Sequence, residues 1–311
     1  MASEAVRCFE RVRSLRDLYV RRVFLALFLI LSVIRPASGQ ADLTSRSWNQ
    51  PVEPYQIIGN VYYVGASDIT SFLITTPAGH ILLDGGFEET VPIIRENLKK
   101  LGFRLADVKV LINSHAHFDH AGGLATLKEL TSAHLAASAG DAPLLARGGK
   151  GDPHLGDQFP FKPVQADRIL RDGDQVSLGG VTLTAHLTPG HTPGCTTWTM
   201  KVKEGDRTRD VVFVCSATIL PGVSLTNNPK YPNVAKDYAR TFRVLKSLPC
   251  DVFLAAHASF YDGLAKAEAL RKGAQENPFI DPKGYRAYVE RKEKDYLAQL
   301  QRERTAAAPK P

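Results

Sequence analysis

Three histidines and one aspartate stand within the six residues HAHFDH, as His115, His117, Asp119 and His120, in a chain of nine histidines. The segment follows the apolar run VKVLINS, which predicts a buried strand, and precedes AGGLATLKEL, which predicts a helix. Because side chains alternate faces along a strand, His115 and His117 can point the same way as the chain leaves the sheet. Imidazole and carboxylate ligands without a thiolate favour a zinc site with an open coordination position.

Asp119 and His120 lie where the chain turns into the following helix, so they can face a second point close to the first. The alternative is an ordinary capped helix with solvated histidines. Independent placement would produce this pattern on the order of once in a few thousand chains of this composition, which favours metal binding.

Two further histidines follow apolar strands elsewhere in the chain. His191 lies in the Pro/Gly loop TPGHTPG, and His257 lies in AAHASF after the strand DVFL. Each could be a buried structural histidine, but a loop position after a buried strand favours a ligand role. Four histidines lack that context, and we expect them to be structural: His80, His134, His154 and His186.

The chain has 311 residues, is 44% hydrophobic and carries a net charge of +7. This composition is that of a globular protein. Residues 1–39 hold seven arginines against three acidic residues, so most of the excess charge belongs to them. No basic stripe with interleaved aromatic residues is present, which argues against nucleic acid as a partner.

The start of the chain has the pattern of an export signal. Basic residues precede an apolar run over 23–34, and Ala37, Ser38 and Gly39 follow as small residues. This twelve-residue run, apolar except at Ser32, suits a signal peptide and is short for a membrane helix. We therefore expect 1–39 to be a signal peptide, the mature chain to begin near Gln40, and the protein to be periplasmic, without stable membrane insertion. An uncleaved membrane anchor is the alternative.

The remaining sequence alternates strands, loops and helices, which predicts an α/β protein. We expect one domain over 40–304 and a disordered tail over 305–311. The segment ARGGKGDPHLGDQFPFKP (146–163) lacks the ending of a phosphate-binding loop and predicts a surface loop over the site.

The motifs HxHxDH, LLDGG and TPGHTPG, followed by a late histidine at a strand end, resemble the metallo-β-lactamase superfamily. The resemblance runs in order from about Tyr55 to Asp262. It implies an αββα sandwich, in which helices flank two mixed sheets. It also implies two zinc ions per chain, held by two ligand sets: His115, His117 and His191 at one ion, and Asp119, His120 and His257 at the other.

The substrate class is indicated by the segment VVFVCSAT. Thioesterases and lactonases of the superfamily usually carry an aspartate there that bridges both metals, whereas this chain has Cys215 and Ser216. One β-lactamase subclass uses a cysteine ligand at this point, but usually with a following lysine, which CSATILPGVSLTNNP lacks. The ligand set, together with NPKYPNVAKDYARTF and HASFYD, resembles the third β-lactamase subclass.

This resemblance implies an exported enzyme that hydrolyses the lactam amide of penicillins, cephalosporins and carbapenems with metal-activated hydroxide, and so confers antibiotic resistance. Asp119 would both bind a metal and orient the nucleophile. Asp84 would hold the ligand histidines, with capping of its own turn as the alternative. Ser216 and Thr218 would bind the substrate carboxylate, unless they are plain turn residues.

The resemblance further implies a disulfide between Cys195 and Cys215, which leaves Cys250 as a buried free thiol. Two other functions remain open from the sequence: a hydrolase of another ester, lactone or thioester on the same di-zinc scaffold, and a metal-binding protein without turnover. The oligomeric state and the preferred β-lactams are not predicted.

Overall fold

The computed structural model describes residues 46–307. The predicted signal peptide and residues 308–311 lie outside the described residues. Within 46–307, no helix combines the length and the apolar character that crossing a membrane requires.

The first sheet has seven strands in the order β1-β2-β3-β4-β5-β6-β7. Pairing is antiparallel from β1 to β4 and parallel from β4 to β7. The strands are β1 (Tyr55–Ile58), β2 (Val61–Tyr63), β3 (Phe72–Thr76), β4 (Gly79–Leu83), β5 (Val108–Ile112), β6 (His134–Ser138) and β7 (Arg168–Leu170).

The second sheet has five strands in the order β12-β11-β10-β9-β8. Strands β8 to β11 are antiparallel, and β11 pairs with β12 in parallel. The strands are β8 (Gln175–Leu178), β9 (Val181–Leu187), β10 (Thr196–Glu204), β11 (Arg207–Val214) and β12 (Val252–Ala255).

Seven α-helices and several short 3₁₀ turns complete the described chain. The helices are α1 (Val91–Lys100), α2 (Phe118–Ala121), α3 (Leu124–Thr131), α4 (Ala142–Ala146), α5 (Val234–Ser247), α6 (Gly263–Arg271) and α7 (Pro282–Ala307).

Alternation along the strands of the first sheet separates two apolar cores. In β4, Ile81 and Leu83 belong to a core shared with Trp198 and Phe213 of the second sheet, whereas Leu82 belongs to a core shared with the helices on the other face. This is the period-2 pattern of a sheet buried on both faces. The two mixed sheets flanked by helices confirm the predicted αββα sandwich.

Strand direction gathers the predicted site residues at one edge. Strands β4 and β5 run parallel, so Asp84 and the segment 113–120, which follow their carboxyl ends, lie side by side. Strands β11 and β12 are also parallel, so Cys215 and His257 follow neighbouring ends. Two hydrogen bonds join the sheets here: Trp198 Nε1 donates to the Asn113 carbonyl (3.0 Å) and the Thr196 N–H to the Ser114 carbonyl (2.8 Å).

Two helix predictions need correction. The helix after the histidines is split into α2 and α3, where Gly123 packs against the LLDGG turn and Gly122 against the two residues that follow this turn. A Cβ on Gly123 would lie 2.4 Å from the Gly85 carbonyl oxygen. At the other end of the chain, α7 continues to Ala307, so the first three residues of the expected tail are helical. Alanine favours helix, and the Thr305 hydroxyl donates to the Gln301 carbonyl (2.9 Å).

Candidate metal centre

Three buried imidazoles form a first cluster, in which the ligand atoms of His115, His117 and His191 all lie within 4.8 Å of one another. His191 turns its Nδ1 to the Thr218 carbonyl (2.8 Å), and His115 turns its Nδ1 to the Ser114 hydroxyl (2.9 Å). Their Nε2 atoms are thereby left for a ligand, and Nε2 of His115 is buried without a hydrogen-bond partner. A bound metal ion would satisfy this nitrogen.

A second cluster consists of His120 Nε2, His257 Nε2 and Asp119 Oδ2. The two imidazole nitrogens are 3.3 Å apart, and the carboxylate oxygen is 3.3 Å from His120 and 3.6 Å from His257. Ligand atoms bound tetrahedrally to zinc at about 2.0–2.1 Å lie about 3.3–3.4 Å apart. The triangle therefore matches one face of a zinc tetrahedron and leaves its fourth position free.

The two clusters are adjacent. The ring centres of His115 and His120 are 4.3 Å apart, and ligand atoms of His115, Asp119 and His120 also lie within 4.8 Å of one another. The donor set is imidazole and carboxylate, which suits zinc. The residues present thus fit a pair of neighbouring zinc ions.

The pKa values differ between the clusters. Burial, followed by the charges of neighbouring histidines, holds the pKa of His115 and of His191 well below its usual range, so both are neutral. Burial alone would raise the pKa of Asp119, but His120 and then His257 outweigh it and keep this group a carboxylate. Burial would lower the pKa of His120, yet Asp119 and then Asp84 raise it to about 10. A metal ion at the second cluster must therefore displace a proton.

Asp84, predicted to hold ligand histidines, contacts His120 directly and reaches His115 through Ser114. Its Oδ1 accepts the Ser114 N–H (2.6 Å) and its Oδ2 the Ser114 hydroxyl (2.7 Å), and Ser114 in turn contacts His115. The same Oδ2 lies 3.5 Å from His120 Nδ1. Asp84 also has a left-handed backbone (φ 64°) beside Gly85, so it shapes the turn as well.

Two further carboxylates support ligand histidines, and the sequence analysis missed both. Asp68 accepts from His257 Nδ1 (3.0 Å) and from the Ser259 N–H (2.7 Å). Asp152 lies 3.4 Å from His117 Nε2, which leaves Nδ1 of that histidine for a metal. Carboxylates in this position fix the tautomer and the orientation of a ligand histidine.

Of these two carboxylates, only Asp152 could have been suspected from the sequence. Asp152 lies in the Gly/Pro-rich segment predicted to be a surface loop over the site, and the Asp-Pro-His run there was the available clue. Asp68 lies 189 residues from its partner His257, so no spacing pattern could have joined them.

Asp141 is a third buried carboxylate that the sequence analysis missed. It accepts hydrogen bonds from the Ala116 N–H (2.9 Å), the Thr192 hydroxyl (2.8 Å) and the Gly194 N–H (2.8 Å). Burial raises its pKa to about 6. Asp141 joins the HAHFDH segment to the loop that carries His191, and so fixes parts of the first cluster relative to each other.

Ser216 and Thr218, predicted to bind the substrate carboxylate, lie behind the first cluster. The Ser216 hydroxyl is buried and accepts the Thr218 N–H (3.2 Å). The Thr218 carbonyl accepts from His191 and from the Tyr238 hydroxyl (2.8 Å), while its own hydroxyl is buried without a partner. Both residues are thus near the first cluster, and the Ser216 hydroxyl, which accepts one hydrogen bond, keeps its own hydrogen for donation.

The predicted disulfide between Cys195 and Cys215 is present, with a Cα–Cα distance of 6.0 Å. It ties the loop of His191 to the segment after β11. Cys250 is unpaired but half-buried rather than fully buried. Burial, reinforced by Asp251, raises the pKa of its thiol, so this thiol is a poor nucleophile.

The four histidines expected to be structural lie outside both clusters. His154 contacts the Gly190 carbonyl (2.9 Å), and His186 contacts the Thr199 hydroxyl (2.9 Å). His80 packs edge-on against Phe103, and His134 is exposed on β6.

Comparison with known proteins places this geometry in a family. A model of the metallo-beta-lactamase superfamily matches residues 64–257. Metallo-β-lactamase FEZ-1 from Legionella gormanii is 44% identical, with a TM-score of 0.81 over 83% of this chain and 98% of its own. BJP-1, a subclass B3 enzyme of Bradyrhizobium japonicum, is 40% identical (TM-score 0.78; 85% and 99% covered). LRA-12, a class B3 di-zinc enzyme from an Alaskan soil metagenome, is 36% identical (TM-score 0.78; 83% and 98% covered).

Curated relatives match over shorter stretches. A probable metallo-hydrolase of Burkholderia pseudomallei is 30% identical over 46% of this chain, and an N-acyl homoserine lactonase of Agrobacterium fabrum is 31% identical over 40%. This chain spans about half the length of these relatives (49% and 56%). Since the family model covers more than half of the chain, the chain belongs to the metallo-β-lactamase superfamily of hydrolases, and its structural neighbours are the class B3 enzymes.

Proposed function

We propose that the protein is an exported, zinc-dependent β-lactamase of the B3 type, which opens the lactam amide of penicillins, cephalosporins and carbapenems. The observation that carries this proposal is the state of Cys215. Its sulfur is bound to Cys195, so it is no thiolate ligand, and no aspartate stands there to bridge two metals. The donor set has six residues and contains neither a thiolate nor a bridging carboxylate. This distinguishes the chain from the β-lactamase subclass with a cysteine ligand and from the thioesterases and lactonases with a bridging aspartate.

His115, His117 and His191 would hold one zinc ion, and Asp119, His120 and His257 the other. Two such ions, when bound, lower the pKa of a water molecule and polarise the lactam carbonyl. The protein residues keep this arrangement fixed, because Ser114, the Thr218 carbonyl and Asp68 each engage the outer nitrogen of a ligand histidine.

Asp119 would have two tasks, since a carboxylate has two oxygens. Oδ2 faces His120 and His257 and suits a metal, which leaves Oδ1 to accept a hydrogen bond from the attacking water. The nearby sulfurs of Cys195 and Cys215 are bonded to each other and are unavailable as nucleophiles, so the attacking group would be the water. As the bond between the carbonyl carbon and the lactam nitrogen breaks, that nitrogen would face the second cluster and would take up the proton that the attacking water releases.

Export is supported by two features of the chain. The basic and apolar pattern of residues 1–39 is typical of a signal peptide. The buried disulfide is typical of an oxidising compartment. We therefore place the mature protein in the periplasm, where resistance to β-lactam antibiotics would follow from its activity.

A second candidate is hydrolysis of a lactone or thioester on the same scaffold, which the similarity to a homoserine lactonase favours. The test uses a protein of residues 40–311 and measures its rate of hydrolysis of five substrates. These are a penicillin, a cephalosporin, a carbapenem, a homoserine lactone and a glutathione thioester. Each assay runs with zinc and with a chelator. We expect zinc-dependent cleavage of the lactams to dominate. Dominant lactone or thioester cleavage would overturn the proposal and keep the metal centre.

A further inference from the structure

The disulfide between Cys195 and Cys215 lies beside a ligand of the first cluster. The two sulfurs and a ring nitrogen of His115 all lie within 4.8 Å of one another. His115 is 1% exposed, and both cysteines are fully buried. Among the histidines of residues 46–307, His115 alone has a ring nitrogen this close to both sulfurs. One histidine of the first cluster therefore also borders a pair of sulfurs.

These three side chains match a zinc ligand set once the sulfurs are thiolates. Two cysteines and one histidine hold zinc in some enzymes and leave a fourth position for water. With Zn–S distances of about 2.3 Å and Zn–N distances of about 2.0–2.1 Å, the sulfurs of a tetrahedral site lie about 3.8 Å apart and about 3.5 Å from the nitrogen. The Cα atoms of Cys195 and Cys215 are 6.0 Å apart, so rotation of two short side chains can give this spacing.

The site is closed while the sulfurs are bonded to each other, because the metal ligand is the thiolate and not the disulfide. A dithiol opens the site by thiol–disulfide exchange. One sulfur of the dithiol attacks a protein sulfur, and the second then releases the mixed disulfide. The bond between Cys195 and Cys215 breaks, the dithiol becomes a cyclic disulfide, and each protein sulfur takes up one of the two protons that the dithiol gives up.

Burial determines which ligand the reduced sulfurs can accept. A thiolate without a partner is unfavourable in an apolar interior, so a cation must arrive with the charges that it compensates. A divalent ion that binds both sulfurs displaces both protons. Soft sulfur ligands select thiophilic ions, of which zinc is one and Cd²⁺ is a softer one.

We propose that reduction of the disulfide by a dithiol opens a site for one thiophilic divalent ion, bound by the sulfurs of Cys195 and Cys215 and by His115. Because His115 is also a ligand of the first cluster, the two sites compete for it. The closed disulfide thus reserves His115 for the first cluster. This inference does not depend on the substrate of the enzyme.

The experiment uses a protein of residues 40–311 with Cys250→Ala, in which Cys195 and Cys215 are the remaining cysteines. The protein is reduced with dithiothreitol, freed of the reductant without air, and titrated with Cd²⁺. We expect sulfur-to-cadmium charge-transfer absorption that saturates at one ion bound by sulfur per chain. The oxidised protein should show none, because its imidazoles and carboxylates are its only ligands for Cd²⁺. Cadmium NMR of the reduced sample should report two sulfur ligands and one nitrogen ligand.

Two histidine variants test the third ligand. We expect His115→Ala to lower the Cd²⁺ affinity of the sulfur site more than about tenfold, because even the loss of an outer partner of a ligand costs about this much. His117→Ala is the matched control. It removes another histidine of the first cluster, but one that does not border both sulfurs, so it should not weaken the sulfur site.

Several results would overturn the proposal. These are equal absorption by the oxidised protein, no absorption by the reduced protein, and an equal loss of affinity in the two histidine variants. Near-ultraviolet circular dichroism shows whether the reduced protein keeps its tertiary structure. A reduced protein that has unfolded and does not refold with Cd²⁺ would also contradict the proposal, because the site requires the packed position of His115.

Discussion

The two histidine clusters of the candidate metal centre are adjacent, but different groups surround them. The first contains three imidazoles, of which His115 and His191 are neutral, and its outer contacts include a serine hydroxyl and a backbone carbonyl. The second contains a carboxylate ligand, and the carboxylates of Asp84 and Asp68 lie behind its histidines. The second cluster therefore concentrates negative charge, which attracts a divalent ion and also raises the pKa of His120. The comparison indicates that protons compete with metal mainly at the second cluster.

Removing a ligand should have the largest effect. We expect Asp119→Ala or His257→Ala to lower kcat for a penicillin more than about a hundredfold, and each variant to keep one zinc ion per chain instead of two. Zinc content by mass spectrometry and thermal unfolding accompany the kinetics. His134→Ala, at an exposed histidine, is the control and should behave as wild type. Near-normal turnover in a variant that has lost one ion would contradict the assignment of the second cluster.

Removing the disulfide should affect the first cluster more than the second. Because Cys195 and Cys215 close a loop with a sequence separation of 20, a Cys195→Ala/Cys215→Ala variant should lose about 3 kcal/mol of unfolding free energy. Chemical denaturation measures this loss, and Cys250→Ala is the control. Since the disulfide holds the loop of His191, the zinc affinity of the first cluster should also fall. Unchanged stability would show that the crosslink does not constrain these loops.

The outer carboxylates allow each cluster to be weakened alone. We expect Asp68→Asn to reduce zinc affinity of the second cluster about tenfold and leave the first unchanged, and Asp152→Asn to do the reverse. Competition with a fluorescent zinc chelator resolves the two affinities. Asp206→Asn, at an exposed turn position, is the control. If both variants reduce the affinity for the same zinc ion, the two clusters do not bind zinc independently.

The pH dependence of zinc binding should differ in slope between the clusters. The pKa of His120 is raised to about 10, so below that pH its proton must leave before zinc binds, and affinity at the second cluster falls as pH falls. Between pH 6 and 9 the slope should approach about tenfold per pH unit. His115 and His191 are neutral throughout this window and have no proton to release, so the slope at the first cluster should be smaller than the slope at the second. Proton release in calorimetry checks this; equal release at both clusters would contradict it.

The local part of the centre could be predicted from sequence, and the distant part could not. HAHFDH brings four donors together because a strand ends and a helix begins within six residues. His191 and His257 were found through their strand-end positions and the family resemblance. Asp68 and Asp152 were missed because their contacts with His257 and His117 depend on how separate loops pack.

The same contrast holds for the fold. The alternation of Ile81, Leu82 and Leu83 predicts a buried strand, but the order of strands in the two sheets depends on long-range pairing. Gly123 was expected inside a continuous helix, and it instead marks a break, because the Gly85 carbonyl approaches it closely.

The most direct test of the central claim is to titrate zinc into metal-free protein, residues 40–311, while following hydrolysis of a chromogenic cephalosporin. We predict that lactam cleavage rises with added zinc and saturates at two ions per chain, and that Asp119→Ala saturates at one ion with little activity. A wild-type protein that binds two zinc ions and leaves the lactam intact would contradict the account.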